Sequence, residues 1–338
     1  MNSTESLYRA VLDAQDVASR VPAARWSEAE ILPWCRDERE REVAKAARYG
    51  AFACGVQLFD HKTFRISRVE AATMDPQQRA LLEQGYMAFH GAGQATGSLL
   101  GAVVGVAIGV FPRSPGDVED AGSLETFNVY SSTGDTLSVA SGRISFVLGM
   151  QGPCISFETS CCSSLVAVHS ALRAVRHGEC TQHLASGVNV MMSPAFSIGC
   201  AVAGMTSPNG RCYTFDRRAD GYGRGEGCSA VVVERHGDSL FTLRGSSVRA
   251  DGRSASLTAP NGLAQRALLD AALADAAESA AAVTLSEGHG TGTPLGDPIE
   301  AGSLVAAMMV DRVVKGNALA FSSVKGNCGH NEANAGVA

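Results

Sequence analysis

The sequence predicts an α/β fold of layered, largely parallel sheets. Three observations carry that reading. Short apolar runs alternate with helical patterns along much of the chain, the order that parallel strands and crossover helices require. Glycine supplies 37 of 338 residues, above the usual ~7 %, as expected where loops turn tightly and backbones approach closely. Hydrophobic residues make up 45 % and charged residues 18 %, which gives a core and excludes a disordered chain. At about 150 residues per domain the length predicts roughly two domains, or one two-lobed unit. Such a chain buries about three quarters of its unfolded surface and needs no disulfide or metal staple.

The elements follow in order. Residues 36–48, RDEREREVAKAAR, read as a solvated helix or loop of mixed charge. Residues 103–111, VVGVAIGVF, read as a buried strand containing glycines, and the polar stretch 112–126 as a surface loop. Residues 154–157, CISF, form a short strand after a Gly152-Pro153 turn. A helix over about 161–177 places Leu165, Val168, Leu172 and Val175 on one apolar face, with Arg173, Arg176 and His177 in its last turn and Gly178 as its stop. Near residue 238 the pattern begins again, so the chain divides into halves at 1–238 and 239–338. The second half carries strands at 241–248, 283–287 and 318–323 and a helix at 263–277. Asp297-Pro298-Ile299-Glu300 reads as a capping box that starts a further helix reaching about residue 310.

The net charge of −6 argues against nucleic-acid binding, which calls for a basic excess. The longest nearly apolar run, residues 99–111, is too short for the ~20 residues that span a bilayer. Ten scattered cysteines without a CxxC pair, and a start without an apolar signal core, predict reduced thiols in a cytoplasmic protein.

Three residues stand where chemistry is commonly built. Cys161 lies where the 154–157 strand gives way to a helix. A helix N-terminus is expected to lower a thiol pKa and raise its nucleophilicity. Cys162 is adjacent, and position alone does not say which thiol is used. His289 lies in the loop GHGTGTPLGDPIE (288–300), where Thr291 and Thr293 add hydroxyls. That loop lacks the GxxxxGK[ST] phosphate pattern and the dinucleotide glycine spacing. His330 lies in SVKGNCGHNEANAG (323–336), near Lys325 and Glu332, which can set its charge and tautomer. The two histidines are accompanied by no third ligand pattern, so no metal is expected. One cysteine and two histidines at strand ends point to a covalent thioester and to paired donors for an oxyanion.

Longer motifs add a resemblance. MDPQQRALLE (74–83), SGRISFVLGMQGP (141–153), ETSCCSSLVAVHSALRAVRHGEC (158–180) and GMTSPNGRCYTFDRRADGYGRGEG (204–227) occur in the order found in β-ketoacyl synthases, followed by the two histidine loops. The chain resembles the ketosynthase domain of type I polyketide synthases. The resemblance implies a thiolase-like, five-layer α-β-α-β-α fold of two similar halves, incomplete at both termini, and an acyltransferase that performs decarboxylative Claisen condensation. It implies Cys161 as nucleophile, His289 and His330 as catalytic histidines, Lys325 and Glu332 as their support, and Thr291 and Thr293 as contacts of the phosphopantetheine arm. No bound cofactor is implied. Both substrates ride on the 4'-phosphopantetheine of an acyl carrier protein, and the expected partners are that carrier, a second copy of the chain and adjoining megasynthase domains. The alternatives are an inactive ketosynthase-like fragment that binds or dimerises, and the fatty-acid rather than the polyketide branch of the same family. Glu158, Ser160 and Cys162 stand where the family usually has Asp, Ala and Ser, and Gly326 and Cys328 where it commonly has Ser and Ile.

Overall fold

Alternation of bulky and small residues along two central strands sets the architecture. The computed structural model describes residues 4–111, 128–235, 239–309, 312 and 318–338. The main sheet contains β1 (Val104–Val110), β2 (Cys154–Phe157), β3 (Gln182–Asn189) and β4 (Gly227–Glu234), in the order β2-β1-β3-β4. β1 runs parallel to β2 and β3, while β4 pairs antiparallel with β3. Side chains alternate across a sheet. Val104, Val106, Ile108 and Val110 of β1 therefore share one face with Leu184 and Val188 of β3, all in a single core.

Two helices cover that face: α1 (Pro76–Gly91), through Leu81, Leu82 and Phe89, and α2 (Leu137–Leu148), through Ala140, Ile144 and Leu148. Asp75 starts α1 by accepting from Gln77 N, with Pro76 at the first helical position. The opposite face carries Gly105, Ala107 and Gly109 on β1 and His183, Ala185 and Gly187 on β3, the His183 ring lying over Gly105 and the small residues toward the other end. Against it packs α3 (Ser163–His177), which buries Ser163, Ser164, Ala167 and Ala171. Small residues on both sides let this helix approach closely. A Cβ at Gly109 would lie 2.4 Å from Ser164 N.

The second half holds a parallel pair, β5 (Leu285–Glu287) and β6 (Ala320–Ser322). Its helices are α5 (Gly262–Ala276) and α6 (Gly296–Met308), which pack on each other. Within the first half, α4 (Ala195–Val202) follows β3.

The structure departs from the sequence expectations at several places. Residues 241–248 form no strand. Polar groups there are taken up by side chains: Asp275 accepts from Ser246 N (2.9 Å), Arg173 donates to Ser246 O (3.0 Å) and Arg176 donates to Arg244 O. The face of α3 is rotated at its start. Leu165 is 54 % exposed, because a glycine-alanine sheet face accepts Ser164 and Ala167 and excludes a bulky side chain. Strand β3, which carries mostly polar and small residues, and strand β4 are additional to those the sequence predicts. The expected loop at 112–126 lies outside the described residues.

Two glycines test this packing. Gly109→Ala forces β1 and α3 apart and is expected to cost about 1–3 kcal/mol of stability, the usual penalty of overpacking. At Gly142 in α2 an added Cβ meets nothing within 4 Å, so Gly142→Ala should gain roughly 0.5–1 kcal/mol. Chemical denaturation of each variant measures both. Equal effects would contradict the close approach at Gly109.

Candidate active site

Strand β2 ends at Phe157, and the chain turns sharply before α3 begins. Ser160 sits at φ 58°, a left-handed conformation that non-glycine residues rarely adopt. Ser163 secures the turn: its hydroxyl donates to Ser160 O (2.6 Å) and accepts from Thr159 N (2.9 Å). The two thiols then diverge. Cys162 is exposed and its Sγ turns back on Thr159 O at 2.9 Å. Cys161 is partly buried, and its Sγ lies with ring nitrogens of His289 and His330, all within 4.8 Å of one another. Of the two adjacent thiols, Cys161 is the one that lies with both imidazoles.

The thiol is less acidic than the sequence predicts. Burial, reinforced by Cys162 and Glu332, pushes Cys161 up to about 11, against the smaller opposing pull of its own backbone amide and Lys325. Cys161 stands one residue before the α3 cap, Cys162.

His289 follows β5, and its loop is clamped from α6. Glu300 accepts from the N–H groups of His289 and Gly290. Asp297, 4 % exposed, accepts from Gly292 N, Thr293 N and Phe215 N at 2.8–3.2 Å. The expected capping box is therefore absent: α6 begins at Gly296 after a Leu295 cap, and both carboxylates serve the histidine loop instead. Gly292 holds φ 78°, where a Cβ would also meet Tyr213 N at 2.6 Å. Thr291 is buried. Thr293 Oγ1 accepts from Gly296 N (3.2 Å) and so helps to start α6.

His330 is held through its backbone. Its N–H donates to Gly223 O (2.7 Å), and its carbonyl accepts from Gly225 N (2.8 Å). Its ring is 3 % exposed, edge-on to His289 at 5.3 Å and to Tyr222 at 5.1 Å. Glu332 Oε2 lies 4.0 Å from His330 Nε2, while Glu332 Oε1 accepts from Arg224 Nε at 3.0 Å. Arg224 Nη1 also donates to Ser197 Oγ (2.6 Å). Burial raises the Glu332 carboxyl and Arg224 draws it back. Lys325, 6 % exposed, is close enough to act on both histidines by its charge.

Both imidazoles are neutral at pH 7. Burial first, then His289, Lys325 and Arg224, hold His330 well below the usual range. Burial and Lys325 bring His289 down to about 4. His289 nevertheless keeps an exposed edge. Water at that edge screens part of the effect, so the direction is what matters: both rings offer neutral nitrogens to the pocket.

The structure thus brings together Cys161, His289, His330, Lys325 and Glu332. It adds Arg224, Tyr222, Asp297 and Glu300, to which the sequence reading assigned no such role. The signal for Arg224 was a charged residue among glycines in GYGRGEG, where backbone approaches closely.

Comparison with known proteins places this geometry. The family model for the β-ketoacyl synthase N-terminal domain matches residues 1–239, and that for the C-terminal domain matches residues 240–338. The chain is 43 % identical, over its whole length, to a phenolphthiocerol synthesis type I polyketide synthase of Mycobacterium bovis and to mycoketide-CoA synthase of Mycobacterium tuberculosis. It spans 16 % and 8 % of those proteins. Among solved structures it is similar to the module 6 ketosynthase of the Bacillus subtilis bacillaene synthase (TM-score 0.83, 29 % identity). It is also similar to an oxazolomycin ketosynthase domain of Streptomyces albus (TM-score 0.84, 30 % identity). These cover 98 % of this chain and 56 % and 57 % of theirs. The fold is thiolase-like, and the chain belongs to the β-ketoacyl synthase family.

Proposed function

We propose that this chain is the condensing unit of a polyketide synthase, with Cys161 as nucleophile and His289 and His330 as the pair that stabilises the enolate. The observation that carries this is the convergence of one thiol and two neutral imidazoles within 4.8 Å.

The chemistry follows from that arrangement. Cys161 Sγ attacks an acyl thioester on a carrier arm. Because the thiol is held protonated, a neighbouring neutral imidazole takes its proton and returns it to the departing carrier thiolate. A malonyl-type extender then loses carbon dioxide. The electron pair of the broken C–C bond passes into an enolate, whose oxygen accepts from the imidazole N–H groups. The enolate carbon attacks the acyl-Cys161 carbonyl, the new C–C bond forms, the C–S bond breaks and the thiol is reprotonated. Neutral histidines suit this role, since a cationic imidazole in the same place would have to be buried as a charge. Thr291 and Thr293 lie on the His289 loop, where an incoming phosphopantetheine arm would meet them.

The partners in this reading are an acyl carrier protein, a second copy of the chain and adjoining synthase domains. All ten cysteines are free thiols, and among the described residues no helix is long and apolar enough to cross a membrane.

Two measurements test the assignment. Cys161→Gln should abolish condensation and keep decarboxylation of malonyl-carrier, whereas His330→Ala should slow decarboxylation itself by about 10²–10³, the usual cost of one oxyanion donor. Carbon dioxide and acetyl-carrier formation report both. Loss of carbon dioxide release in Cys161→Gln, with His330→Ala unaffected, would overturn the division of labour. The second concerns pH. A thiol pKa of about 11 means that the thiolate fraction grows tenfold per pH unit from pH 7 to 10. Peptide-resolved iodoacetamide labelling of Cys161 should therefore keep rising to pH 10. A plateau below pH 8 would mean that the helix terminus outweighs burial.

A further inference from the structure

We propose that Cys161, His289 and His330 form a binding site for one soft divalent cation, zinc by ligand type, and that its occupancy blocks the Cys161 thiol reversibly. Binding is independent of whether the chain condenses acyl groups. The sequence provides two histidines without a third ligand; the fold supplies Cys161 as that ligand. Thiolate and imidazole are the preferred zinc donors, and tetrahedral geometry sets them about 3.3–3.6 Å apart. The three donor atoms already lie within 4.8 Å, so side-chain rotations of roughly an ångström close the set.

Three further features favour a cation here. A neutral imidazole presents a proton at a given nitrogen in one tautomer and a lone pair in the other, so the His330 ring can serve an oxyanion or a cation. Glu332 Oε2, 4.0 Å from His330 Nε2, brings a carboxylate beside the ring, and its negative charge favours a cation there. His289 is exposed and Cys161 partly so, which leaves an entry path and a fourth position for water or a substrate sulfur. On binding, the Cys161 S–H bond breaks, its electron pair forms the sulfur–zinc bond and the proton passes to solvent. Sulfur held this way cannot take an acyl group until the metal leaves.

The test uses the full chain with zinc chloride and cobalt chloride. Cobalt should bind at one equivalent and give a sulfur-to-cobalt charge-transfer band that Cys161→Ala removes. No variant is needed for the second readout. When free zinc is ten times its Kd, iodoacetamide labelling of Cys161 should slow by about tenfold by mass action, while labelling of exposed Cys54 is unchanged and a chelator restores the original rate. Absence of the band, its survival in Cys161→Ala, or an unchanged Cys161 labelling rate at saturating zinc would overturn the proposal.

Discussion

The buried ion pair between Arg224 and Glu332 is the constraint on which the site depends. Both side chains are nearly inaccessible, at 7 % and 5 %. Removing two charges from water costs several kcal/mol per ion, so such a pair adds little net stability, yet losing one partner strands the other. Its contribution is therefore to select one arrangement. Arg224 lies on an extended strip, residues 222–226, that runs along the middle of the second histidine loop. Tyr222 meets the His330 ring, Gly223 and Gly225 pair with its backbone, and Arg224 holds Glu332. The strip continues into Glu226, which clamps Arg25 through two bonds of 2.9 Å and accepts from Ala53 N and Met191 N. One short segment thus ties the N-terminal residues, the main sheet and His330 together.

On the opposite side of the site, the thiol is placed by packing rather than by charge. The glycine-alanine face of β1 and β3 draws α3 close, and the turn before it is left-handed at Ser160. Glu332, at φ 48°, and Phe215, at φ 53°, are further left-handed non-glycine residues beside the site. Backbone in this region costs of order 1–3 kcal/mol per residue and persists only where surroundings impose it. Here the Ser163 hydroxyl imposes it on one side and Arg224 on the other.

Much of this was legible in the sequence, for physical reasons. Strand β2 and helix α3 could be placed because an apolar run, a Gly-Pro turn and a glycine stop are local signals. Cys161, His289 and His330 were legible because each follows a strand. The 241–248 segment misled because a β-rich composition does not reveal that Asp275 and Arg173 will satisfy its backbone. Asp297-Pro298-Ile299-Glu300 misled for a related reason. A capping box and a loop clamp use the same carboxylates, and only tertiary contact decides which N–H groups they reach. The thiol pKa went the other way because desolvation depends on what surrounds a residue, whereas a helix terminus can be read from order alone. The role of Arg224 could not be read from its glycine-flanked position alone, because its partner lies 108 positions away.

The most direct test of the central constraint is a double-mutant cycle on stability with Arg224→Met and Glu332→Gln. Arg224→Met alone strands a buried carboxylate and should cost about 3–5 kcal/mol. Adding Glu332→Gln should restore part of that loss, leaving a coupling of more than about 1 kcal/mol, within the usual range for contacting residues. Strictly additive effects in denaturant unfolding would show that the two groups do not hold each other, and that His330 is positioned by something else.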